Sequence, residues 1–322
     1  MKNFVLLPVR SLAEAARESA KPDSLLKAGG VDVLDRLKEG LDSPARIISI
    51  SHIPGHDGIA VGSPTRIGAL ATLSKIASDG ALQKTYPALA HAAGEAATPQ
   101  IRNMATLGGN LCQRPRCWYY RSAEFDCRKK GGKECFALEG ENRFHAIFDT
   151  NTCCCVHPSA TGTALLAYGA SVETVGPRGK RTIPIEQFFT LPTADVQREN
   201  VLGAGEIIET VVLPAPSPGS RSVYKKLKEK ESFDWPLVEA CVNLTIEGGA
   251  IRSARIILGS VSPVPRRARE AEALLIGARA NTELIAKAAE AAVAGATPLA
   301  QNAYKVRMAR VMVERALKEA MA

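Results

Sequence analysis

KAGGVDVL, residues 27–34, reads as a short strand that runs through two adjacent glycines into a helix. Adjacent glycines let the backbone approach a ligand closely and turn successive N–H groups into one concavity. The helix N-terminus that follows adds partial positive charge, so a pyrophosphate fits there. A plain turn would carry the same residues. The stretch is not a Walker A loop, which ends in Gly-Lys-Ser/Thr. TLGGNL, residues 106–111, reads as a second glycine loop, with Thr106 and Asn110 able to donate to phosphate or ribityl oxygens. Together the two loops would clamp the halves of a dinucleotide without the G-x-G-x-x-G of a Rossmann site.

Outward from these loops the chain breaks into small elements. Residues 1–58 alternate strand and helix through VLLPV, SLAEAARESA, LLKAGG, VDVLDRLKEG and ARIISISHI. Residues 59–218 add the helical stretches YPALAHAAGEAA and ATGTALLAY and strands such as EIIETVVLP. Pro214, Pro216, Pro218 and Gly219 then crowd together and mark a domain boundary. Beyond it, residues 219–322 read as three strands, two of them joined at the GGA turn, 248–250, followed by an Ala-rich tail with apolar residues at helical spacing. The expected fold class is therefore α+β.

Composition removes several function classes. With 322 residues, 46% hydrophobic and 23% charged, the chain has the apolar mass for real cores and is not largely disordered. No apolar run reaches the length of a membrane span. The N-terminus lacks the apolar core and cleavage site of a secretory signal, so a cytoplasmic protein is expected, or a periplasmic one exported with a partner. Net charge is +8, but the basic residues near Lys225 are interleaved with Glu229 and Glu231 and lack stacking aromatics. Nucleic acid is not an expected partner.

Eight cysteines are present, and seven of them, from Cys112 to Cys155, lie in one charge-rich segment. Such clustering in a long chain points to a metal site rather than a disulfide framework. The residues alone leave a closed Cys₄ zinc site and an iron–sulfur cluster equally open. Arg114, Arg116, Arg121, Arg128, Lys129, Lys130 and Lys133 surround the cysteines, and positive charge favours thiolates. His52, His56, His91 and His145 read as surface or packing residues. No Ser/His/Asp set and no H-E-x-x-H occurs, so no catalytic residue is assigned.

The run of KAGGVDVL, TPQIRNMATLGGNL, HPSATGTALLAYGASV, AGEIIETVVLP, VYKKLKEKESFDWPLVEACV and LGSVSPVPRRAREAEALLIG resembles the FAD-binding medium subunit of the xanthine dehydrogenase, or molybdenum hydroxylase, family. The resemblance covers nearly the whole chain. It implies an FAD-binding domain of the vanillyl-alcohol-oxidase (PCMH) type over 1–218, with α/β subdomains 1–58 and 59–218, and a C-terminal domain of a three-stranded sheet and helices over 219–322. It implies FAD held by Leu26, Lys27, Ala28, Gly29, Gly30, Val31, Asp32, Val33, Leu34, Asn103, Thr106, Gly108, Gly109, Asn110, Ile208 and Lys226. Lys226 would lie near the isoalloxazine. Val31 stands where the family usually has Thr or Ser, and Ala160 where it has Asp.

The cysteine segment, about 112–157, is similar to an insertion in a subset of the family that holds a [4Fe–4S] cluster. The implied ligands are Cys117, Cys127, Cys135 and one of the triplet Cys153–Cys155, with the offset to His157 favouring Cys153. Implied partners are a large molybdenum-cofactor subunit, a small [2Fe–2S] subunit and an external carrier such as ferredoxin, NAD or quinone. The rival expectation is a zinc- or cluster-stabilised binding module without redox turnover.

Overall fold

The computed structural model describes residues 2–322, and three sheets organise them. The first is parallel, in the order β1-β3-β2, from β1 (Val5–Pro8), β2 (Ser24–Lys27) and β3 (Arg46–Ser49). Parallel neighbours need crossovers, and α1 (Leu12–Ser19) and α2 (Val31–Lys38) supply them. Ser11 caps α1 by accepting from Glu14 N–H, and Glu14 reaches back to Arg10 N–H at 2.9 Å. Leu12, Ala15 and Ala16 turn inward against Ile48 and Ile50.

The second sheet is antiparallel, in the order β4-β5-β8-β6-β7, from β4 (Ile59–Ala60), β5 (Thr65–Gly68), β6 (Ser171–Gly176), β7 (Gly179–Pro184) and β8 (Ile207–Leu213). A helical layer covers it: α3 (Leu73–Ser78), α4 (Gly80–Thr85), α5 (Pro87–Gly94), α6 (Pro99–Met104), α7 (Leu107–Cys112) and, after the short α8 (Trp118–Arg121) of the cysteine segment, α9 (Ala160–Tyr168). Every residue of α9 is buried, as its apolar composition on all sides requires. α9 packs on α5 and on the third sheet, so one helix is shared by two cores.

That third sheet is antiparallel, in the order β12-β11-β10-β9. The three long strands expected are β9 (Ser220–Leu227), β10 (Val238–Glu247) and β11 (Ala250–Gly259). A fourth, β12 (Arg266–Arg267), extends the edge; two residues are too short to show any periodicity in sequence. Gly248 and Gly249 both have positive φ, which the tight β10–β11 turn requires. Helices α10 (Arg269–Leu275), α11 (Thr282–Ala291) and α12 (Tyr304–Met321) close this core, with Met312, Val313, Ala316 and Leu317 of α12 facing the sheet. Among the described residues no helix is long and apolar enough to cross a membrane.

The segment from Gln113 to Pro158 has little regular structure, so its backbone groups need partners from elsewhere. The third core supplies them. Ile147 N–H donates to Val261 O and His157 N–H to Ser262 O. The fully buried Lys305 of α12 donates from Nζ to the carbonyls of Phe144, His145 and Ser260 at 3.1, 2.9 and 2.7 Å. Burial pushes its pKa down to about 7, while three carbonyl acceptors match the three protons of its charged form. Lys305→Met keeps the stem and removes the donors. With about 1–3 kcal/mol for each buried acceptor left without a partner, we expect the thermal midpoint to drop by several degrees in calorimetry. An unchanged midpoint would refute this role.

Candidate cofactor cavity and thiol cluster

A cavity of about 580 Å³ lies where the three sheets meet. β2 delivers the chain to it at Lys27, and Gly30, with φ 83° and ψ −7°, makes the turn into α2. Only glycine adopts that conformation freely. Gly30 has no side chain to cap the helix, so the first-turn N–H groups of α2 stay uncapped beside the cavity. A Cβ on Gly29 would run into the backbone carbonyl of Met104, so the two chain segments touch through a glycine.

The cavity brings together Leu26, Ala28, Gly29, Gly30, Val31, Asp32, Val33, Thr106, Gly108, Gly109, Asn110, Ile208 and Lys226. Lys27, Leu34 and Asn103 fall outside its lining. On strand β2 the Lys27 side chain alternates away from its neighbours, and its ammonium donates to Ala28 O and Ser51 Oγ, both at 3.1 Å. Leu34 and Asn103 are exposed. The lining also includes Arg116, expected only as a charge beside the cysteines, and Trp235 and Glu239, which lie in a stretch carrying the resemblance but were not singled out as site residues.

The second glycine stretch differs from its expected form. TLGGNL is not a loop but the start of α7, capped by Thr106 Oγ1, which accepts from Gly109 N–H at 3.2 Å. Leu107 and Gly108 N–H donate to Ala71 and Ala69 carbonyls, both at 2.9 Å. Its N–H groups are therefore spent inside the protein. Asn110 Oδ1 accepts from Ser159 Oγ at 2.7 Å and Thr161 Oγ1 at 2.6 Å, which fixes that side chain at the wall. Ala160 lines the cavity as an apolar contact.

Asp32 sits in the first turn of α2 with its carboxylate drawn toward the cysteine segment. It accepts from Arg121 Nη2 at 2.7 Å, Arg116 Nη1 at 2.8 Å, Arg36 Nη1 at 3.2 Å and Arg114 N–H at 3.1 Å. Burial alone would raise its pKa; the three guanidiniums overcome that and hold it below the usual carboxylate range. Arg116 in turn stacks over Trp235 at 4.8 Å.

Cys117, Cys127, Cys135, Cys153 and Cys155 line a second, small cavity of about 10 Å³, the size of one water. The thiols stand almost closed on one another. Cys154 does not line it, although its Sγ is 3.6 Å from Cys135 Sγ. All eight cysteines are free thiols. Hydrogen bonds from Cys153 and Cys154 lower the Cys135 pKa, and the shared proton raises Cys153. Burial pushes Cys117 up to about 12. Lys129, 4% exposed, pairs with Glu199 at 2.8 Å; burial opposes its charge, but Cys155 and Glu199 overcome that.

His145 is a packing histidine with one further contact, Nε2 at 3.2 Å from Cys117 Sγ. Burial lowers its pKa to about 4. Among the described residues no three His, Cys, Asp or Glu side chains are arranged as a ready single-ion site.

Residues 2–216 match the family model described as the FAD binding domain in molybdopterin dehydrogenase, and 222–320 match the CO dehydrogenase flavoprotein C-terminal domain. The chain belongs to this family. Over its full length this FAD-binding oxidoreductase subunit is 34% identical to the aldehyde oxidoreductase FAD-binding subunit of Escherichia coli K12, covering 99% of that protein. It is 30% identical to the carbon monoxide dehydrogenase medium chain of Hydrogenophaga pseudoflava, over 93% of this chain and 90% of that one. A solved carbon monoxide dehydrogenase from the same organism, lacking the Mo-pyranopterin moiety, superposes with a TM-score of 0.78 at 28% identity, covering 99% of this chain and 97% of its own.

The cavity fits FAD on its own geometry. The uncapped N–H groups of α2 suit a pyrophosphate, and Lys226 presents a cation at the wall formed by the third sheet. Gly30→Val would force a β-branched residue into a left-handed turn. We expect its flavin-to-protein ratio to fall several-fold, whereas Gly80→Ala, whose added Cβ meets nothing within 4 Å, keeps the wild-type ratio. Equal flavin in the two variants would refute the phosphate role of the first loop. Asp32→Asn leaves clustered guanidiniums without their shared anion. Removing one member of a buried ion pair costs about 3–5 kcal/mol, so urea unfolding is expected at clearly lower denaturant, with the cysteine segment cleaved earlier in limited proteolysis.

Proposed function

We propose that the chain carries electrons as the flavin subunit of a molybdenum-dependent hydroxylase or dehydrogenase, and that its cysteine segment holds a [4Fe–4S] cluster beside the flavin. Partners would be a large molybdenum-cofactor subunit and a small [2Fe–2S] subunit, with ferredoxin, NAD or quinone as external carrier. One observation carries the reading: Arg116 lines the flavin cavity, and the next residue, Cys117, lines the thiol cavity. Consecutive residues thus reach the two compartments, which are neighbours along the chain.

FAD, when bound, links two-electron to one-electron chemistry. The chain's part is to hold it. The α2 N-terminus takes the pyrophosphate, Lys226 offers positive charge, and the apolar walls from Leu70, Ile207 and Ile208 exclude water. Soft thiolate donors suit an iron–sulfur cluster, with Cys117, Cys127, Cys135 and Cys153 as its ligands; loading requires the thiols to move apart. Cys153 is favoured over Cys154 because it lines the cavity and Cys154 does not, and over Cys155, which also lines it, by its offset to His157. Residues 1–218 would form the flavin domain and 219–322 the C-terminal domain. The relatives' names point to an aldehyde or a comparable substrate, oxidised on the large subunit and not here. Free thiols suit the reducing cytoplasm.

Iron and acid-labile sulfide assays on the purified complex test the cluster. Cys117→Ser, Cys127→Ser, Cys135→Ser and Cys153→Ser should each lose iron and keep flavin, while Cys154→Ser keeps both. A protein that holds flavin and zinc but no sulfide would overturn the cluster and favour the zinc-stabilised alternative. The isolated subunit should not oxidise aldehydes; turnover by this chain alone would refute the electron-carrier role.

A further inference from the structure

Glu239 is 1% exposed yet lines the flavin cavity. It lies on β10 directly opposite Lys226 on β9, so both side chains leave the same face of the sheet. No ion pair joins them among the described residues: Lys226 Nζ donates instead to Glu95 O at 2.7 Å. The Glu239 carboxyl is held by neutral groups. Oε1 accepts from Tyr224 Oη at 2.6 Å, and Oε2 lies 3.3 Å from Thr163 Oγ1. That hydroxyl is also 3.3 Å from Ser159 O. It has one proton to give, so a proton on Oε2 would find Thr163 Oγ1 as its acceptor.

The sheet is shaped around this carboxyl. Its partner on β11 is Gly259, and a Cβ there would run into Oε2. A buried acid without a charge partner is costly, and a built niche for one at a cofactor wall indicates use. The groups that face it are Tyr224 and Lys226 on β9, Cys241 on β10 and Thr163 on α9; His91 packs on the Tyr224 ring at 5.8 Å, and Lys226 is itself faced by Lys228 just past β9, Glu95 beyond α5 and Arg102. Burial raises the Glu239 pKa and lowers that of Lys226. Unlike Asp32 at the α2 end, Glu239 has no guanidinium to neutralise it among the described residues, so this wall is assigned to the flavin ring and not to the pyrophosphate. That placement rests on the reading of the cavity as the FAD site.

We propose that Glu239 is a redox-linked proton site, binding a proton at its carboxyl when the adjoining flavin is reduced and releasing it on reoxidation. Two electrons from a one-electron donor centre and one proton convert FAD to FADH⁻. The added negative charge draws a second proton from solvent onto Glu239, leaving Lys226 as the uncompensated cation facing the reduced ring. Oxidation returns both electrons to the acceptor and both protons to solvent.

The test is a dye-poised reductive titration of the flavin-loaded protein at a series of pH values. Where Glu239 responds, proton uptake per two electrons should fall from about two in wild type to about one in Glu239→Gln, as linkage requires. The infrared difference spectrum of wild type should gain a protonated-carboxyl C=O band on reduction. That measurement stands even if Glu239→Gln misfolds. An unchanged pH slope in a flavin-loaded Glu239→Gln, or no such band in wild type, overturns the proposal and leaves the FAD site intact. A chain that binds no flavin overturns both.

Discussion

The Asp32 carboxylate, shared by Arg36, Arg116 and Arg121, is the charge on which the arrangement of the site depends. It joins the first turn of α2, beside the cavity, to the start of the cysteine segment. Water is largely excluded from this cluster, so its charges are weakly screened. None of the arginines can shed its proton to escape burial, and only a fixed anion lets them lie side by side. Arg116 then extends the contact across the cavity to Trp235 on the C-terminal side. Through one carboxylate, three parts of the chain are held at the cavity mouth.

The elements with strong signals were legible. The apolar run of LVEACVNLTIEGGAIRSARIILG, broken by the GGA turn at 248–250, made the long hairpin readable. The strand–glycine–helix of KAGGVDVL has the local form read from it, because Gly30 alone decides that geometry. Residues of that run that point elsewhere could not be sorted in advance. Asp32 was read as a cofactor contact and does line the cavity, but its pairing with Arg36, Arg116 and Arg121 could not be read from that run. TLGGNL was read as a loop because its glycines argue against helix; Thr106 and the close approach to Ala69 outweigh that propensity.

Other features are invisible to local patterns because they arise only from packing. Glu239 looks like an ordinary polar residue of a strand until Gly259 and Tyr224 are seen around it. The burial of α9 on all sides follows from its composition, but not that its two neighbours belong to different sheets. The cysteine segment has no periodicity to read. Its path is set by distant hydrogen-bond partners such as Asn302, which donates to the carbonyls of His145 and Ala146.

The Lys305 contacts carry a consequence for how the protein is made. Chains emerge and fold from the N-terminal side during synthesis, and α12 follows the cysteine segment by well over a hundred residues. Until α12 is synthesised and docked, the carbonyls of Phe144 and His145 lack the ammonium that pins them. The thiols are therefore presented on a tethered but unlocked segment from their own synthesis until α12 docks. Docking of the last helix then closes the protein around whatever the cysteines hold, which makes α12 a latch on a finished site rather than a scaffold for building it.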